Sequence, residues 1–166
     1  MRTISLRKIN VNIFILFLLS IISLASPIIT HYFRFKGTEF LPLFFALSLG
    51  SYILNPLFLI MLSFISPLLN YFLTNMPMPP TLYFLIFEGV VFASIISIMK
   101  NKNISFILTS LFAIILGRLS SVILTFIFDI NISTWLNGVI LGYKGIIVNW
   151  IFASIMYLIL KDKINE

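Results

Sequence analysis

A chain of 166 residues with 60% apolar and only 10% charged side chains cannot clothe itself in water-compatible surface, since soluble domains carry about a quarter charged residues. The composition excludes a soluble fold and leaves a single integral membrane domain over residues 1–166. A net charge of +6 raises the question of nucleic acid, but the eleven basic residues are scattered between apolar runs without forming a stripe, so nucleic acid is excluded as a partner.

The first apolar run, Ile9 to Ile29, follows Arg2, Arg7 and Lys8 and so resembles a signal peptide. Its length matches the ~20 residues needed to cross a bilayer and exceeds the roughly 7–15 of a signal core. Pro27 beside the weak Ala25-Ser26 cleavage site argues the same way, and the run is predicted to be the first transmembrane helix. Further runs cover about 40–53, 55–74, 82–99, 104–127 and 136–160. The expected fold is an all-α membrane protein, six transmembrane helices in one bundle with both termini cytoplasmic. The second run is short for a crossing, which calls for tilt or shielding by its neighbours, and Asn55-Pro56 separates it from the third.

Charge sets the direction of insertion. With the amino terminus cytoplasmic, the inner segments carry Arg2, Arg7, Lys8, Lys100, Lys102, Lys161 and Lys163, and the outer loops only Arg34 and Lys36. This is a positive-inside bias. It places the loops 30–39, 75–81 and 128–135 outside a plasma membrane, the proline-rich segment NMPMPP among them.

Three charges remain within the apolar runs: Glu88, Arg118 and Lys144. A charge at the bilayer centre costs about 2.5–3.5 kcal/mol on insertion scales, so each needs a reason. Glu88 lies six residues after Leu82, roughly 9 Å below the outer end at 1.5 Å per residue. Lys144 lies eight after Leu136, roughly 12 Å, and Arg118 nine before Ile127, roughly 14 Å. Similar depth in the outer half points to a shared polar cavity opening outward. Two readings stay open: a structural network in which Glu88 pairs with Arg118, or the wall of a solute site. The prolines of the 75–80 loop limit its freedom, so it can hold one shape over such a cavity, with Glu88 in the wall behind it. Ala113, Gly117 and Ser121 give the fifth run a small face beside Arg118, and Gly142 and Gly145 flank Lys144 where a neighbour or ligand could approach. Asn149 can bond across helices, and Trp150 reads as packing.

Enzymatic chemistry finds little support. His31 is the one histidine and cysteine is absent, which removes histidine clusters, disulfides and thiol chemistry. There is no GxSxG, P-loop or pair of acids on one helix, so no catalytic, metal or cofactor residues are assigned. Without a nucleotide site, ATP-driven work needs a partner.

Four segments carry a family resemblance: KGTEFLPLFFALSLGSYILNPL, SPLLNYFLTNMPMPPTLYFLIFEGVVFASII, ILGRLSSVI and LGYKGIIVNWIFASIMYLIL. Together, in this order over about residues 36–160, they resemble the substrate-specific (S) components of energy-coupling factor transporters. The resemblance implies six membrane helices that capture a small water-soluble vitamin or precursor from outside. Its implied partners are a transmembrane coupling protein and two cytoplasmic ATPases that use the ATP. Implied pocket or gate positions are Asn75, Met76, Pro77, Glu88, Arg118, Lys144 and Asn149. The first helix departs from the family's small-alanine docking face, having bulky residues first. Ser20, Ser23 and Ala25 later in that run, with Ala46 and Gly50 in the second, are the small positions left for a partner interface. Two bases against one acid favour a solute with a carboxylate, such as pantothenate or niacin, with pyridoxine and hydroxymethylpyrimidine still open. The competing functions are a non-transporting membrane scaffold or assembly subunit and, third, a small membrane enzyme.

Overall fold

The computed structural model describes residues 6–34, 37–100 and 105–164. Arg2, Lys36 and Lys102, counted in the charge asymmetry, lie outside the described residues, as does the first residue of the predicted 104–127 run. The described residues form helices and turns without a strand: α1 (Leu6–Tyr32), α2 (Gly37–Phe40), α3 (Leu43–Ile53), α4 (Pro56–Thr74), α5 (Thr81–Met99), α6 (Phe106–Ser120), α7 (Val122–Ile127), α8 (Ile132–Leu141) and α9 (Tyr143–Ile164).

Local chemistry sets several of these boundaries. Pro56 opens α4 at a position where its missing N–H costs nothing. The N–H of Asn55 just before it is held by Asn12 Oδ1 of α1 at 3.0 Å. At the other end Asn75 takes a left-handed conformation, φ 56°, and donates its N–H to Tyr71 O at 2.8 Å, a helix stop that asparagine tolerates well. Asn131 caps α8 by accepting from the Ser133 N–H at 2.9 Å.

Five stretches are long and apolar enough to cross a membrane: Ile9–Thr30, Pro56–Thr74, Thr81–Met99, Phe106–Ile127 and Tyr143–Lys161. Three of the six predicted spans are interrupted; the 104–127 run is divided at Ser121 into α6 and α7. The 40–53 run is not one helix but α2 and the eleven-residue α3, broken at Leu41, whose φ of 50° is left-handed. At 1.5 Å per residue α3 is roughly 16 Å long, about half a bilayer's hydrocarbon core. The 136–160 run begins earlier, at Ile132, and breaks at Gly142, where φ −73° and ψ 0° turn the chain between α8 and α9.

Helices α1, α4, α5, α6, α9 and α3 pack side by side in a closed ring, with α3 also reaching α4 and α5. The exterior of this bundle is apolar, unlike that of a soluble protein, and small polar residues share the interior with an apolar core. Phe14, Phe17, Phe112, Phe126 and Leu158 face outward, while Ser48, Ser63, Ser110, Asn70 and Asn149 are buried. A continuous apolar exterior of this kind suits lipid, and small hydroxyl residues let helix backbones approach. Most of the hydroxyls are satisfied within their own helix, as Ser63 on Ile60 O and Ser97 on Ala93 O. Bonds between helices are fewer and better defined: Trp150 Nε1 of α9 donates to Ile107 O of α6 at 2.9 Å, and Lys100 Nζ to Tyr52 O at the end of α3 at 2.8 Å.

Two glycines set the closest approaches. A Cβ on Gly117 would stand 2.9 Å from Glu88 O of α5, and one on Gly145 would stand 2.7 Å from the Phe40 carbonyl carbon. Both obstacles are backbone and cannot swing aside. Gly117→Ala and Gly145→Ala are each expected to destabilise by about 1–3 kcal/mol through forced helix separation. Gly138→Ala, with nothing within 4 Å of its Cβ, should leave the thermal midpoint in detergent unchanged or higher. Equal midpoints for all three variants would contradict the packing described.

Candidate functional site

At the end of the bundle where α4 stops, α5 starts and α7 turns into α8, the helices part around a cavity of about 980 Å³. Solute pockets run about 300–1,000 Å³, and this space lies at the upper end of that range. The turn after α4 contributes Met76, Pro77 and Pro80, and α5 contributes Thr81, Phe84 and Leu85. Across from these stand Leu41 to Leu43 at the break before α3, and Trp135, Gly138 and Val139 of α8. Pro27 of α1 and Asn70 of α4 complete the wall, and Glu88 and Arg118 carry the charge among the described lining residues.

Glu88 lies seven residues into α5 from Thr81, roughly 10 Å deeper. Its side chain is 2% exposed, and Oε2 accepts from Arg118 Nη1 of α6 at 2.8 Å. Two opposite charges removed from water together cost far less than either alone. The pair is further bonded. Ser121 Oγ lies 2.8 Å from Glu88 Oε1 and 2.7 Å from Arg118 O, able to donate its one proton to either, and accepts from Trp135 Nε1 at 3.0 Å. Arg118 Nη2 donates to Gly138 O at 3.0 Å. Helix α8 buries none of its side chains, so these two bonds from Trp135 and Gly138 tie it to the pair rather than a packed core.

The opposite wall rests on a proline. Pro27 lacks an N–H, which leaves the Ser23 carbonyl without its usual partner one turn on. Asn70 Nδ2 supplies that bond at 3.1 Å, and donates also to Ser66 O at 2.9 Å. An asparagine inside an apolar helix thus fixes α1 to α4 beside the cavity.

The other residues singled out in the sequence fall elsewhere. Met76 and Pro77 line the cavity with Glu88 and Arg118, whereas Asn75 ends α4 and is exposed. Lys144 does not join the pair: it sits in the first turn of α9 and binds Glu39 of α2 at 2.9 Å, with nearly half its side chain exposed. Asn149 is fully buried away from the cavity lining, donates to Gly145 O at 2.8 Å and accepts from Ser48 Oγ of α3 at 3.3 Å. Gly145 is approached by the Phe40 backbone. Of the small positions considered for a partner, Ser20, Ser23, Ala46 and Gly50 are buried between helices of this chain, and Ala25 is half-buried.

Sequence reasoning passed over Asn70, Trp135 and Glu39. An asparagine amid PLLNYF and a tryptophan four residues past the α8 cap were visible signals. Nothing local tied Glu39 to a lysine more than a hundred positions away. Comparison of the chain with protein-family models, curated proteins and solved structures gave no match.

Breaking one side of the ion pair strands the other in a dry site. Glu88→Gln and Arg118→Met are each expected to lower unfolding stability in detergent by about 3–5 kcal/mol, and the double variant to recover most of that loss. Additive losses would show that the two residues do not act as a pair.

Proposed function

We propose that this chain is the substrate-binding subunit of an energy-coupling-factor type ABC transporter. In this reading it captures a small water-soluble vitamin or precursor from outside the plasma membrane, with no catalysis of its own. The observation that carries the reading is the solute-sized cavity at one end of the bundle, roofed in part by Met76, Pro77 and Pro80 and floored by Glu88 and Arg118. The four segments that resemble the S components contribute to its walls or to their support. The loop 75–80 and α8 both contribute to the cavity's lining and frame a solute in this reading. In the proposed topology α2 and α3 together make the sixth crossing, both termini are cytoplasmic, and the cavity opens outward. Uptake is driven by a transmembrane coupling protein and two ATPases.

A scaffold role has one observation in its favour: both oxygens of Glu88 and both terminal nitrogens of Arg118 are bonded within the protein. The two readings differ in their partners. Affinity-tagged chain, expressed with the coupling protein and the two ATPases of its host, is expected to co-purify all three and to form a complex with ATPase activity. Recovery of the chain alone, or in a stable assembly with unrelated membrane subunits, would refute the transporter assignment.

A further inference from the structure

The geometry points to an uncharged solute in this cavity: a vitamin-sized molecule with apolar ring faces and few hydrogen-bonding groups, without a free carboxylate or phosphate. This inference rests on the cavity being a solute site and concerns what it selects. The charges at its floor compensate each other. Glu88 Oε2 accepts from Arg118 and Oε1 lies within reach of the Ser121 hydroxyl, and Arg118 Nη1 and Nη2 donate to Glu88 and Gly138 O, while the buried Arg118 Nε has no partner among the described residues. The pair, 2.8 Å apart, presents no net charge to a ligand.

An anion that drew Arg118 from Glu88 would leave two negative groups side by side in a dry site, and one that bonded a remaining Arg118 N–H would still stand close to the Glu88 carboxylate. Like charges at such range strongly disfavour each other's ionised form. A cationic solute would meet the mirror-image problem at Arg118. Lys144, the base that would tip the balance toward a carboxylate, is held by Glu39 away from the lining. The Trp135 indole N–H is likewise engaged, on Ser121. What remains for a ligand is the apolar wall of Phe84, Leu85, Met76 and Val139, the ring of Trp135, the hydroxyls of Thr81 and Thr134, and the amide oxygen of Asn70, unpartnered among the described residues and an acceptor for a neutral donor. Such a surface rewards burial of ring faces and offers hydrogen bonds to neutral groups.

The test equilibrates the chain in lipid nanodiscs with an aqueous metabolite extract. The extract is supplemented with matched charged and uncharged probes: nicotinate and nicotinamide, pantothenate and panthenol, pyridoxal phosphate and pyridoxine. Retained molecules are identified by mass spectrometry and compared with Thr81→Trp, which fills the cavity from an exposed position, and with Thr134→Trp on α8 as a second block. The expected result is an uncharged species held about tenfold more by the native chain than by either variant, a difference of about 1.4 kcal/mol. Its retention should change less than about twofold between about 50 mM and about 500 mM salt, because no net charge is screened. Cavity-dependent retention of carboxylates or phosphates would overturn the uncharged-solute inference while leaving a solute site standing. If the native chain and both blocked variants hold the same molecules, or lipid alone, both the inference and the solute-site reading fail.

Discussion

The ion pair between Glu88 and Arg118 is the constraint around which the upper half of this bundle is arranged. Neither charge is tolerable alone at that depth, so α5 and α6 must present them to each other within hydrogen-bond reach. Gly117 makes this possible, because it lets α6 lie almost against the Glu88 carbonyl. Once paired, the two groups have valences left over, and those select the next layer: Ser121 on the carboxylate, the Gly138 carbonyl on the guanidinium, and the Trp135 indole behind Ser121. A helix with no buried side chains, α8, is thereby fixed over a space that apolar packing alone would have closed or left undefined. The cavity and the bonds that frame it are therefore one construction.

Elsewhere the bundle solves a membrane protein's usual problem, satisfying backbone that leaves the helical pattern without water. The break between α2 and α3 is held by Ser26 Oγ on Pro42 O at 2.8 Å, with Gly145 allowing α9 to close against Phe40. Pro27 interrupts α1, and Asn70 from α4 supplies the bond that the proline removed. These interruptions gather at the same end as the cavity. Regular helices fill the other half, where Phe92, Ile96, Ala113 and Ile114 pack in the dry core. The apolar packing around Phe92 and Ile96 and the candidate site thus lie at different levels of the bundle, and breaks and polar groups collect at the site's level.

The apolar runs made the helices legible, because twenty residues without charge have few other uses, and Asn55-Pro56 marked the start of α4, whereas Asn75, taken in the sequence for a pocket position, is the helix stop. Glu88 and Arg118 were legible as charges that need a partner because charge in an apolar run is costly and both lay at similar depth, but whether they met each other or a solute stayed open in the sequence. Lys144 met the same criterion yet sits apart for two reasons. Its depth was counted along a continuous helix from Leu136, and the turn at Gly142 restarts that helix one residue before Lys144's own neighbour, Tyr143. Depth also fixes a level and says nothing about the face, which long-range packing decides. Asn149 illustrates the second point: a polar residue one helical turn from Gly145 supports the break before α3 rather than the cavity. Helix α3, short by sequence, is short in the structure because its run spends residues on the Leu41–Pro42 turn.

Cavity, loop and buried pair gather at one end of the bundle, and the account requires that end to face outward. The chain has no cysteine, so single cysteines can be placed without background. The most direct measurement is the rate at which a membrane-impermeant maleimide labels Thr134→Cys at the cavity wall in intact cells, against Lys161→Cys at the far end of α9. The account predicts labelling of the first, slowed when solute is present, and none of the second until the cells are opened. Labelling of Lys161→Cys alone in intact cells would contradict it.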